Sequence, residues 1–251
     1  MTLRVAIMQP TYLPWIGYFD LVDSVDTFVL LDNVQFSKQS WHQRNRIKTA
    51  KGLQFITVPV RHVGRFGQTI DAVELAGTAF ARKHLAAIEQ SYGRAAYFAD
   101  YFPAFAAKLT AAVTGNLADL NIALIEWLAS ALGLSPRFVR ASTLETEGKR
   151  SELIAAICES LGAVSYLSPV GAVDYLLQER ESFGRRGIEV RIQNFVHPIY
   201  PQLYPPFASH AAAIDLLFNA GPASLEILRS GRRPAPLLAE WRPSPQEILP
   251  A

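Results

Sequence analysis

Two short apolar runs, each ending abruptly at polar residues, constrain this chain more than any other feature. Val5-Ala6-Ile7-Met8 stops at Gln9-Pro10, where proline lacks the N–H that a sheet ladder needs. Thr27-Phe28-Val29-Leu30-Leu31 stops at Asp32-Asn33, and the helix-like segment Gly17 to Val25 lies between the two runs. Strand, helix and strand in this succession predict parallel neighbours joined by a crossover. Ligands in such sheets collect outside the carboxyl ends of the strands. Gln9, Thr11, Asp32, Asn33 and Gln35 are therefore expected beside a ligand.

The charge pattern after Asp32 is uneven. From Asn33 to Ile70 there is no Asp or Glu, while Lys38, Arg44, Arg46, Lys48, Lys51, Arg61 and Arg65 are all present, against a formal net charge of +2 for the whole protein. A solvated face would account for Lys51 or Arg65 taken singly. The acid-free run as a whole, placed beside a crevice, points to an anionic ligand. Arg44, Arg46 and Lys48 alternate along an extended piece, a turn follows at Ala50-Lys51-Gly52, and Leu53 to Val60 runs back. The three cations would then share one face of a hairpin, with guanidinium forks suited to phosphate or carboxylate. Trp41 and His42 could stack on a base or sugar, although an isolated tryptophan is more often core. Beyond Pro59, Gly64 and Gly67 mark a loop whose Arg61, His62 and Arg65 could close over a ligand.

Several longer strings resemble the WbqC-like proteins: QPTYLPWIGYFD, then D-x-FVLLDNVQF-x-K-x-SW, RN-x-IKT and the VPV strand. The resemblance continues through KH-x-x-x-IEQSY, DLN, Gly148-Lys149, CESLGA-x-x-YLSP, HP-x-YPQ and DLLFNAGP, so it spans roughly Val5 to Pro222. It implies a setting in O-antigen, other surface-polysaccharide or natural-product biosynthesis, and a transferase attaching an amino acid or acyl group to an amine. His84, beside Lys83, matches this pattern and enters as a substrate-binding residue on the resemblance, although a helix-surface histidine is usually just solvated. Pro14 and Gly17 after a strand are also similar to the loop of nucleotidylyl transferases. The catalytic histidines of that loop are replaced here by Trp15 and Tyr18.

The rest of the chain alternates. Helices are expected near Ala79–Gln90, Ala99–Val113 and Leu117–Leu132, the last with Asn116 as its cap, a leucine stripe and Gly133 past its end. Phe138 to Ala141 reads as a strand. Gly148-Lys149-Arg150-Ser151 opens a helix whose free N–H groups could hold an anion, although it lacks the spaced glycines of a P-loop. Val164 to Leu167 is a short strand with Ser168-Pro169 as its polar exit, and Gly171 to Gln178 is another helix. Ile188, Val190 and Ile192 alternate with Glu189 and Arg191 as in an edge strand. The fold class is α/β: a largely parallel central sheet flanked by helices, a Rossmann-like three-layer arrangement with a helical insertion about 79–132. One domain over 1–230 and a Pro-rich tail over 231–251 is the simplest division.

With half of its 251 residues hydrophobic, the chain can bury a substantial core. It has no signal-like start and no apolar run of about 18 residues, so a cytoplasmic protein without a membrane partner is expected. Cys158, the lone cysteine, sits among Ile154, Ile157 and Leu161 and reads as packing rather than nucleophile. The five histidines show no paired metal spacing, so no metal and no cofactor are expected.

His197, in NFVHPIYPQ, is the best candidate for a general base, because Pro198 keeps it extended in a loop beyond a strand end. A core or ligand-orienting histidine is the competing account. The first functional reading is acyl or aminoacyl transfer to an amine on a phosphate- or nucleotide-bearing small molecule. His197 would take the proton and Asp32 would orient it. Gln9, Asn33, Gln35 and Asn45 would supply amide donors, and Thr11, Tyr18, Trp41, Arg44, Arg46, Lys48, His84, Lys149 and Ser168 would complete the binding surface. The donor could be an aminoacyl-tRNA or a carrier-linked acyl group. The second reading is a tRNA-binding protein using the same basic row, which the modest net charge disfavours. A diverged nucleotidyl transferase and a noncatalytic assembly factor remain as further accounts.

Overall fold

The computed structural model describes residues 3–113 and 115–242. Strand β1 (Arg4–Met8), helix α1 (Ile16–Asp23) and strand β2 (Thr27–Leu30) form the expected unit, with β1 and β2 parallel and Val5 opposite Thr27. The ribbon β3 (Arg44–Thr49) and β4 (Gly52–Thr57) is antiparallel and stands apart from the main sheet. Its turn needs the left-handed backbone of Gly52, at φ +94°. Three helices follow, α2 (Ala79–Tyr92), α3 (Phe98–Ala112) and α4 (Leu117–Ala131). The Asn116 side chain caps α4 by accepting from Asp119 N at 2.9 Å. Leu117, Leu120, Leu124 and Leu128 of that helix are fully buried, as the stripe predicts.

The chain then returns to the sheet with β5 (Arg137–Arg140), α5 (Ser151–Ser160), β6 (Ser165–Ser168), α6 (Val173–Gln178), α7 (Glu181–Gly184) and β7 (Glu189–Ile192). Two short helices, α8 (Ile214–Ala220) and α9 (Ser224–Ser230), complete the regular elements. The five-stranded sheet is all parallel, in the order β5-β2-β1-β6-β7. Counting sheet strands alone, that is third-second-first-fourth-fifth, the Rossmann order, with its switch point between β1 and β6.

Alternate strand residues enter two cores. Ala6, Phe28, Leu30 and Leu167 face the larger core shared with α1, the inserted helices and α8. Val5, Ile7, Val29, Tyr166 and Val190 face the one beneath α5, α6 and α7. Burial on both faces is why these strands read as unbroken apolar runs. At the β7 edge, residues 236–238 lie alongside the strand: Ile192 N donates to Pro236 O and Leu238 N to Val190 O, each at 2.9 Å. The proline contributes only its carbonyl there, so its missing N–H costs nothing. Pro243, Pro245 and Pro250 of the Pro-rich stretch lie outside the described residues. Among the described residues no helix is long and apolar enough to cross a membrane.

The loop after β1 has no ladder of its own, yet its carbonyls are bonded by distant parts of the chain. Asn121 Nδ2 on α4 donates to Pro10 O at 3.0 Å and His42 O at 2.8 Å. Asn45 Nδ2 donates to Tyr12 O at 3.2 Å and Leu13 O at 2.7 Å. Ala213 N donates to Pro14 O at 2.8 Å. Asn121 is fully buried, so Asn121→Ala would leave two carbonyls unpaired. Urea unfolding of that variant should show a loss of about 2–4 kcal/mol.

Candidate functional site

Beyond the ends of β1 and β7, the segment 195–213 folds back over the loop that follows β1, and Trp15 forms a bridge with Ala212. Around the Trp15 indole stand His210, 4.6 Å between ring centres, His197, stacked at 5.9 Å and 11°, and Phe195, edge-on at 5.7 Å. The two imidazoles are 5.2 Å apart. Glycines make this packing feasible. A Cβ on Gly17 would lie 2.2 Å from the Trp15 ring, and one on Gly231 would lie 2.6 Å from Phe195. Leu13 and His210 adopt φ +45° and +62°, a strained backbone of the kind concentrated at functional sites.

His197 has a fixed tautomer. Its Nδ1 lies 2.9 Å from Pro198 O, a group that only accepts, so Nδ1 carries the hydrogen and Nε2 keeps its lone pair. That Nε2 is buried and has no hydrogen-bond partner among the described residues. Burial, opposed in part by the Pro198 carbonyl and aided by His210, pulls the pKa down to about 4. The imidazole is therefore neutral at physiological pH. Arg46 brings a buried Nε that likewise has no partner, and its charge helps to depress the His210 pKa, after burial. An unpaired acceptor, on His197, and an unpaired donor, on Arg46, thus both belong to residues that act on His210. Buried polar atoms are ordinarily satisfied, so this pair requires an explanation.

Beneath them lies Asp215, fully buried on α8. Its Oδ2 accepts from Tyr200 Oη and Gln202 Nε2, both at 2.7 Å. The Tyr92 hydroxyl, which accepts Lys48 N at 2.8 Å, faces the same carboxyl, although Oδ1 has no partner of good geometry. Burial raises the Asp215 pKa despite these donors and the nearby Lys48 charge. The Tyr200 ring stacks against His197 at 6.1 Å, so the network supports the imidazole from below. The sequence reading missed Asp215, Tyr200 and Gln202 as a unit; the signal was an aspartate inside the apolar run of α8, following HP-x-YPQ.

Other expected site residues have structural partners. Asp32 does not orient His197: it accepts Arg140 Nε at 2.7 Å, Ser142 N at 2.9 Å and Ser142 Oγ at 2.8 Å, and Pro198 O does the orienting. Gln9 Oε1 accepts from His42 Nε2 at 2.8 Å, and Ser37 N donates to the other ring nitrogen. Asn45 is consumed by the loop carbonyls. Tyr18 is buried, with its hydroxyl 3.4 Å from Gln9 O. Thr11 is half-buried, Gln35 is exposed and bridges to Thr69, and half-buried Asn33 keeps an unpaired Oδ1. Ser168 is buried at the end of β6, with its hydroxyl 3.1 Å from Pro169 O. His84 is not a solvated helix residue: it is buried, with Nδ1 2.8 Å from Tyr12 Oη and a bond to the Thr57 backbone.

The basic row divides. Arg44 and Arg46 lie over the outer face of the ribbon, beside Trp41 and Phe55. Lys48 is instead buried, its Nζ donating to Pro206 O at 2.6 Å. Arg61 and Arg65, expected to serve a closing loop, both pair with Glu74, at 3.7 and 2.8 Å. At the start of α5 the anion is internal: Ser151 N donates to Glu179 at 3.1 Å and Arg150 lies 3.5 Å from the same carboxylate. Lys149 is exposed beside it.

A five-stranded parallel sheet in this order, with a helical insertion and a folded-over loop at its switch point, defines a Rossmann-like α/β protein. The chain belongs to the WbqC-like protein family, whose sequence pattern matches residues 9–227. It is similar to the uncharacterized protein Rv1507c of Mycobacterium tuberculosis (strain ATCC 25618 / H37Rv), 37% identical over 231 residues that cover 92% of this chain and 99% of the relative. No solved structure matches the chain.

Burial holds His42 and His84 near a pKa of about 4, against 6.5 for a free histidine. Below about pH 6.5 the unfolded chain takes up protons that the folded one refuses, so stability is full above that pH and falls toward pH 4. Each contributes on the order of 2–3 kcal/mol over that window. Urea midpoints measured from pH 7.5 to 4.5 should therefore decline, and less steeply in His84→Gln. Gly17→Ala should displace the Trp15 indole, costing about 1–3 kcal/mol and changing the tryptophan emission.

Proposed function

We propose that this protein is a biosynthetic transferase that moves an acyl or aminoacyl group onto an amine of a phosphate-bearing intermediate. The observation that carries the reading is the buried, unpartnered Nε2 of His197, whose hydrogen is fixed on the opposite nitrogen. A neutral imidazole presenting a lone pair in a site that also holds an unpaired guanidinium Nε suits a reaction in which an amine must lose a proton near an anion. The amine nitrogen attacks the donor carbonyl, the C–N bond forms, and the proton passes to His197 Nε2. The bond to the leaving oxygen of an aminoacyl ester, or the leaving sulfur of a carrier thioester, then breaks as that atom takes the proton. Asp215, through Tyr200, acts as a positioning group that keeps the imidazole plane in place.

Family membership supports the setting, since the resemblance in sequence is to proteins of surface-polysaccharide and natural-product biosynthesis. The compound modified is then an amino sugar or comparable amine carried on a phosphate. The test is to incubate the purified protein with amino-sugar nucleotides and with aminoacyl-tRNA or acyl-thioester donors, and to follow the mass of the acceptor. His197→Ala should lower turnover by about 10²–10⁴-fold while leaving acceptor affinity nearly unchanged. Undiminished turnover in that variant would remove His197 from the role of base. Because the His197 pKa is near 4, its contribution to kcat/KM should be flat from pH 6 to 8 and fall only in acid.

A further inference from the structure

The outer face of the β3–β4 ribbon carries a feature that the transfer chemistry does not require. Trp41 and Phe55 lie side by side, 6.0 Å between ring centres, and are 47% and 50% exposed. Phe55 is opposite Arg46 in the ladder, on the face where an alternating ribbon would place polar residues. The Arg44 guanidinium lies 4.4 Å above the Phe55 ring, and that of Arg46 lies 5.4 Å from Trp41.

A packing role explains only part of this. An exposed cation–π contact needs one ring and one cation and is worth about 0.5–1 kcal/mol. Here there are two of each, and among the described residues neither Arg44 nor Arg46 has an ion-pair partner, unlike Arg61 and Arg65 of the same acid-free run. The absence of any Asp or Glu between Asn33 and Ile70 leaves that charge uncompensated. The pair also abuts the candidate site. Tyr12 N bonds Trp41 O at 2.9 Å, Ala212 N bonds Arg46 O at 2.8 Å, and the Arg46 charge acts on His210.

We infer that this face is a nucleobase platform and that the phosphate-bearing substrate is a nucleoside diphosphate derivative, its base stacked on Trp41 and Phe55 and its diphosphate held by Arg44 and Arg46. Half-exposed rings and planar guanidinium groups are surfaces on which bases stack, and the same guanidinium groups bind phosphate oxygens in pairs. A sugar phosphate without a base would use the cations and leave the rings idle. A nucleic acid would need a longer basic track than Lys38 and Lys51 supply, on a chain of net charge +2. The inference deepens the transferase reading and rests on it only for where the reacting amine lies.

The test is calorimetric binding of UDP, ADP and GDP to the full chain, compared with inorganic pyrophosphate and a single-stranded RNA oligonucleotide. At least one nucleoside diphosphate should bind roughly tenfold or more tightly than pyrophosphate, as one base stack would give. Trp41→Ala and Phe55→Ala should each erase most of that advantage and leave pyrophosphate affinity alone, with Phe55→Leu as a control that preserves apolar surface. Arg46→Ala should weaken nucleotide and pyrophosphate together. His197→Ala should change none of these affinities, so failure of the catalytic assignment would be seen separately. Equal binding of pyrophosphate and nucleotides, no binding of either, or tighter and steeply salt-dependent binding of the oligonucleotide would each overturn the inference.

Discussion

The loop that follows β1 carries backbone groups that no ladder of its own satisfies. Two prolines and a left-handed Leu13 keep it out of helix and strand, so its carbonyls must find partners elsewhere. Asn121 from the inserted helices, Asn45 from the ribbon and Ala213 from the C-terminal segment provide them. Regions far apart in sequence are thereby fixed around one turn of chain at the switch point. The helical insertion is, on this view, part of the scaffold of the site: α4 supplies the amide that joins Pro10 to His42.

The same packing sets the chemistry. Histidines at positions 42, 84 and 197 share a depressed pKa for one first reason, burial, and differ in what their nitrogens touch. His42 and His84 have partners on both nitrogens or on nitrogen and backbone, so they hold the loop and the ribbon in place. His197 alone of these three has a buried nitrogen without a partner. Burial therefore acts on all three imidazoles alike, and what separates His197 from the other two is one missing hydrogen bond.

Charge follows a comparable division. A run of seven cations without an acid looks uniform in the sequence, but the fold uses its members differently. Arg61 and Arg65 are neutralised by Glu74, from outside the run, and Lys48 is drawn into the interior to bind a carbonyl near Asp215. Arg44 and Arg46 remain with aromatic rings and, among the described residues, no carboxylate. Positive charge without an ion pair is thus left on the outer face of the ribbon, at Arg44 and Arg46, among the described residues.

The layered framework is legible in the order of residues alone. The apolar runs ending at Gln9 and Asp32 are parallel strands, the leucine stripe after Asn116 is α4, and the alternation of residues 44–48 is a ribbon strand, because each depends on local periodicity and on where backbone N–H groups are missing. The tertiary structure alone decided which polar residues are free. Asp32 and Asn45 are the residue types expected at a site, yet Arg140, Ser142 and the loop carbonyls occupy them. Asp215, Tyr200 and Gln202 look unremarkable in order along the chain but converge under His197. Whether a side chain is spent on the fold or left for a ligand depends on contacts between segments up to two hundred residues apart, and no local pattern encodes those.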